Sequence, residues 1–82
     1  SNERSQAKFL YPKYELATMI GNKPVASVGK AVELVNEYIK RNNLIRAGNN
    51  FIQTDANLHA MTGNHWIDKK DLPDYVSRYL RQ

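Results

Sequence analysis

The chain is predicted to be mainly α with small β-strands, two successive strand-helix-strand-helix units forming an open four-helix fold with a central cleft. Three observations predict it. Apolar residues recur at helical spacing in several segments, those segments are bounded by capping residues, and the second half of the chain repeats the pattern of the first. Eighty-two residues, 41% of them hydrophobic, supply one modest core and not a second. A single domain over 9–82 is therefore expected, with 1–8 set apart as a tail, disordered or left from a fusion.

Phe9-Leu10-Tyr11 reads as a brief strand before Pro12, which fits the first turn of a helix over 13–20. Gly21-Asn22 ends that helix as a C-cap pair. Lys23-Pro24-Val25 is extended, because the residue before proline avoids helical backbone angles, and Ser27 caps a longer helix over 28–42. Asn42-Asn43 closes it, and Arg46-Ala47-Gly48-Asn49-Asn50 is turn chemistry throughout. Phe51–Thr54 reads as a strand, Asp55 as the cap of a helix over 56–62, and Gly63 as its end. His65-Trp66-Ile67 is a further short strand and Asp68 a further cap. The last helix starts between 69 and 72, since Pro73 is tolerated only in a first turn, and runs to about Leu80.

A shift of 42 positions pairs Phe9 with Phe51, Leu16 with Leu58, Met19 with Met61, Gly21 with Gly63 and Asn22 with Asn64. After one deletion it pairs Ala31 with Leu72, Val35 with Val76, Tyr38 with Tyr79 and Ile39 with Leu80. These matches fall on apolar and cap positions, where a duplicated fold holds its sequence. Two such units are expected to pack about a pseudo-twofold axis, leaving a cleft between the longer helices.

The helix over 28–42 carries a stripe of Val28, Val32, Val35 and Ile39, widened on one side by Ala31, Leu34 and Tyr38 to an arc of roughly 160°. A core-facing helix needs little more than about 100°. The surplus means either a helix wedged between two apolar neighbours or one whose second edge lines a groove. Asn36 sits at the edge opposite Leu34 and Tyr38, which points to water or a partner there.

Four segments in order and spacing, "YELATMIG" (14–21), "EYIKRNNL" (37–44), "NFIQTDANLHAMTG" (50–63) and "IDKKDLPDYVSRYL" (67–80), resemble the SWIB domain, named from a subunit of SWI/SNF chromatin-remodelling complexes. The resemblance covers residues 9–80, and its most specific marks are the "YIKxNNL" ending and the Leu-Pro near the start of the last helix. It implies a duplicated four-helix fold. The related domain of the double-minute oncoprotein holds an amphipathic helix of a transcription activator in its cleft. SWIB domains occur in chromatin and transcription complexes, and in some intracellular bacteria alone or at the end of a DNA topoisomerase. Two departures stand out: Asn36 lies where members often carry Trp, and Ile45-Arg46-Ala47-Gly48 replaces an Asp-Pro or similar pair.

By matching positions, the resemblance implies a groove walled by Val32, Val35, Asn36 and Ile39, floored by Ile52 and Met61, and closed on the far side by Leu72, Tyr75 and Val76. Helix-in-groove binding uses such walls to hold apolar anchors spaced i, i+3/i+4 and i+7, and a flexible Met suits a floor. The alternative for Val32, Ile52, Met61 and Val76 is ordinary core. Trp66 is expected as a core or end-cap aromatic.

Twelve Lys and Arg against eight Asp and Glu give a net charge of +4, compatible with nucleic acid. Lys40, Arg41 and Arg46 are the candidate phosphate contacts; the plainer reading is solvated charge, with Lys40 and Arg41 well placed at a helix C-terminus. No run of aromatics alternates with these charges, which weighs against single-strand binding. Catalysis is not expected, because no nucleophile stands in a recognisable motif and His59 and His65 have no third ligand at metal spacing. Asp68, Asp71 and Asp74 suit a helix start and need no catalytic role. No cofactor or metal is expected, and the absence of cysteine excludes disulfides. No apolar run approaches the roughly 20 residues of a membrane span. An intracellular monomer is expected, nuclear if eukaryotic and cytoplasmic if bacterial, with a protein partner bound through an amphipathic helix.

Overall fold

Ser27 starts the longest helix in the way its side chain allows: extended backbone, with its hydroxyl accepting from the Lys30 N–H at 3.0 Å. The computed structural model describes residues 8–46, 48 and 50–82. In chain order these form β1 (Tyr11–Pro12), α1 (Tyr14–Ile20), α2 (Val28–Arg41), β2 (Ile45–Arg46), β3 (Phe51–Gln53), α3 (Ala56–Thr62), β4 (Trp66–Asp68), α4 (Leu72–Arg78) and β5 (Leu80–Arg81). A 3₁₀ turn, Lys69–Asp71, leads into α4. Among the described residues the architecture is four α-helices with two small antiparallel sheets, β1-β5 and β2-β3-β4.

α2 ends in a Schellman motif. Asn43 takes the left-handed conformation, φ 56°, while its N–H donates to the Lys40 carbonyl and the Leu44 N–H to the Ile39 carbonyl, both at 3.1 Å. Asn tolerates that backbone better than most side chains. α3 begins at Asp55, whose Oδ1 accepts from the Leu58 N–H at 3.0 Å, and ends at Gly63, φ 75°. Asp68 does the same for the 3₁₀ turn, accepting from the Lys70 N–H at 3.0 Å.

Packing follows the stripes. α1 lies on α3, α2 lies on both α1 and α4, and the core between them is Leu16, Met19, Val25, Ala31, Val35, Ile39, Ile52, Leu58, Met61, Ile67, Leu72 and Val76. Ile52 and Ile67 face each other across β3 and β4 and close one end. At the other end Leu10 exchanges backbone hydrogen bonds with Val25, both 2.8 Å, and the Lys13 N–H donates to the Tyr79 carbonyl.

Several expectations need correction. Pro12 is a strand residue opposite Leu80, not a helix start; having no N–H, it suits an edge. The last helix stops at Arg78, and Leu80–Arg81 instead pairs with β1. Arg46, expected as the first turn residue, instead belongs with Ile45 to a strand paired with β3. Both strands are only two residues long, too short for an alternation pattern to announce them. Of the turn over 46–50, Ala47 and Asn49 lie outside the described residues, as do 1–7 of the expected tail. Trp66 is exposed, not core.

Candidate functional site

At about 100° per residue, α2 presents its core face through Ala31, Val35 and Ile39, with Val32 and Asn36 on one flank and Lys30, Leu34 and Tyr38 on the other. The two flanks have different fates. Val32 and Asn36 are half-buried on the first, as is Tyr75 on α4, the helix packed against α2. The remaining expected groove residues are interior: Val35, Ile39, Ile52, Leu72 and Val76 have no exposed surface, and Met61 has almost none. All six belong to one buried core cluster. They lie in the core rather than on an open wall, and of the expected groove residues Val32, Asn36 and Tyr75 keep exposed surface.

Asn36 is the anomaly there. Its Oδ1 is buried and, among the described residues, accepts no hydrogen bond. An acceptor taken out of water without a donor costs roughly 1–3 kcal/mol. Tyr75 is fixed by its hydroxyl, which accepts from Asn64 Nδ2 at 3.2 Å, and by the Arg78 guanidinium 5.7 Å from its ring centre. The far wall is therefore anchored to the turn after α3.

The opposite flank opens where the resemblance implies no groove residue. A concavity of about 460 Å³ lies between the end of α1 and the start of α2, with Ile20, Pro24, Val25 and Leu34 as its apolar surface and Lys23 and Lys30 around it. Lys30 Nζ lies 3.4 Å from a Glu33 carboxylate oxygen, but both side chains are largely in water, so that pair holds little. The signal that could have found this site was the surplus width of the stripe on its Leu34 side.

Tyr38, on the same flank, has a structural task. Its hydroxyl donates to Asp55 Oδ2 and accepts from Asn57 Nδ2 at 3.2 Å, tying α2 to the start of α3. Burial, and after it the hydrogen bond to Asp55, raises its pKa above the ordinary tyrosine value.

The basic candidates divide. Lys40 and Arg41 are exposed in the last turn of α2, and Arg41 lies 6.0 Å from the centre of the Tyr38 ring. Arg46 stands on β2, where Nη1 donates to the Asn43 carbonyl at 2.7 Å and the Ile45 carbonyl at 3.0 Å. His59 and His65 stack on each other, centroids 4.5 Å apart. Among the described residues no group of three or more His, Cys, Asp or Glu is placed to hold a metal ion, and no helix is long and apolar enough to cross a membrane. No family model matches the chain, and no curated protein matches it.

Proposed function

We propose that the chain is a non-catalytic interaction domain of SWIB type, receiving an apolar helical segment of a transcription, chromatin or DNA-topology partner along the Val32–Asn36–Tyr75 seam. The observation that carries it is the buried, unpartnered Asn36 Oδ1, an acceptor that a donor on a bound segment would satisfy. Binding then requires α2 and α4 to part, because the floor of the seam is occupied by Val35, Ile39 and Val76.

The duplicated arrangement belongs to this reading and has its own support. Leu16 and Leu58 are both fully buried, as are Ala31 and Leu72, and Val35 and Val76. Gly21 and Gly63 both have positive φ, 98° and 75°. α1 packs on α3 as α2 packs on α4, which pairs each helix with its repeat partner.

The test is selection of amphipathic helical peptides from a displayed library against the folded chain. Selected peptides should carry apolar residues at i, i+3/i+4 and i+7. Val32→Asp should weaken them about ten-fold or more, a loss of about 1.4 kcal/mol, with the fold intact by circular dichroism, while Leu34→Asp leaves affinity unchanged. If Leu34→Asp alone abolishes binding, the partner sits in the α1–α2 concavity and the seam assignment is wrong. A library that yields no binder contradicts the reading altogether.

A further inference from the structure

The outer face of the three-stranded sheet holds an aromatic pair that linear spacing concealed. Ile52 and Ile67 pair across β3 and β4 and both enter the core, so strand alternation puts Phe51, Gln53, Trp66 and Asp68 on the other face. The register sets Gln53 opposite Trp66 and Phe51 opposite Asp68. Phe51 and Trp66 are thus diagonal neighbours, with Cβ atoms roughly 7 Å apart by sheet geometry. They are 46% and 53% exposed. They stand 15 positions apart in the chain, on either side of α3, and the antiparallel pairing of β3 with β4 brings them onto one surface.

Cations stand on two sides of this face, with Asp68 and Asp71 among them. Arg46 stands directly opposite Phe51 on β2, its guanidinium fixed at the edge of the face by the Asn43 and Ile45 carbonyls. β4 runs straight into Lys69 and Lys70. By register the acid on this face is Asp68, and it is already engaged: one oxygen accepts from the Lys70 N–H and the other lies 3.8 Å from Lys70 Nζ.

We propose that this face binds single-stranded nucleic acid, two unpaired bases stacking on Phe51 and Trp66 while Arg46 and Lys69-Lys70 meet the phosphates. A shallow sheet with two open rings suits bases that are free to splay, which a duplex does not offer. Stacking is tolerant of sequence, and the cations contribute the salt-dependent part of the affinity. This site is separate from the α2–α4 seam and does not rest on the reading given for it.

Trp66 is the only tryptophan in the chain, so its fluorescence reports the platform directly. Titration of the whole chain with a deoxythymidine oligonucleotide at low salt should quench that emission saturably. Phe51→Ala should weaken binding by about five-fold or more, Phe51→Tyr should restore it, and Arg46→Ala should lower the salt slope by roughly 0.7. Phe9→Ala, which removes an exposed ring elsewhere, should change nothing. Both Phe51 variants can be checked for folding by circular dichroism, and Trp66→Ala by anisotropy of a labelled oligonucleotide. The proposal is overturned if emission does not respond, if a duplex competes as well as the single strand, or if Phe9→Ala and Phe51→Ala weaken binding equally. Quenching by an aromatic peptide with no response to the oligonucleotide would make the face a protein-docking surface and equally overturn it.

Discussion

Tyr38 and Ile39 are adjacent in α2 and hold the molecule together by different physics. Ile39 is fully buried among core side chains, so Ile39→Ala should lower the unfolding free energy by about 2–5 kcal/mol in urea denaturation. Val35→Asp is a poor probe of binding for the same reason: it would place an unpaired carboxylate in the core and unfold the domain. Tyr38 contributes through Asp55 and Asn57. Tyr38→Phe should cost about 1 kcal/mol near neutral pH. The raised pKa of this hydroxyl, caused first by burial and then by Asp55, means that the folded chain holds the phenolic proton more tightly than the unfolded one. That contribution is complete below about pH 10 and is lost as pH rises through the folded value. Stability curves measured across the alkaline range should therefore fall less steeply for Tyr38→Phe than for the wild type.

At the scale of the element, the ending of α2 explains its amide-rich sequence without a ligand. Asn43 occupies the left-handed position of the Schellman motif, so Asn43→Gly should be neutral or slightly stabilising, while Asn43→Val should cost roughly 1–2 kcal/mol in thermal unfolding. Gly63→Ala tests the same point at α3. A Cβ there would meet no atom within 4 Å, so its cost, also about 1–2 kcal/mol, would be purely conformational. The capped ends were legible because Ser27, Asp55, Asp68 and Gly63 each satisfy or relieve a specific backbone need, and the structure uses them so. β2 and β5 were not, because a two-residue strand is defined by its partner rather than by its own pattern. The exposed position of Trp66 depends on the register with β3, which no local window contains.

At the scale of the whole molecule, the same distinction separates the core from the candidate site. Val35, Ile39, Leu72 and Val76, expected from the resemblance as walls of a groove, are all fully buried, and apolar periodicity alone does not distinguish a filled interface from an open groove. Only the packed structure shows that the accessible remainder is Val32, Asn36 and Tyr75, and that the open concavity lies on the Leu34 flank instead. The width of the α2 stripe belongs to both: its centre is core, and its two edges are surfaces of unlike character. On the reading proposed above, a partner helix docks on the Asn36 edge and supplies the donor its buried oxygen lacks. Chemical-shift mapping of the ¹⁵N-labelled chain with a selected helical peptide tests this most directly. The largest changes are expected at Val32, Asn36 and Tyr75, including a shift of the Asn36 side-chain amide, with Ile20, Val25 and Leu34 unmoved; changes confined to those last three, or none at the Asn36 amide, would rule out docking at this edge.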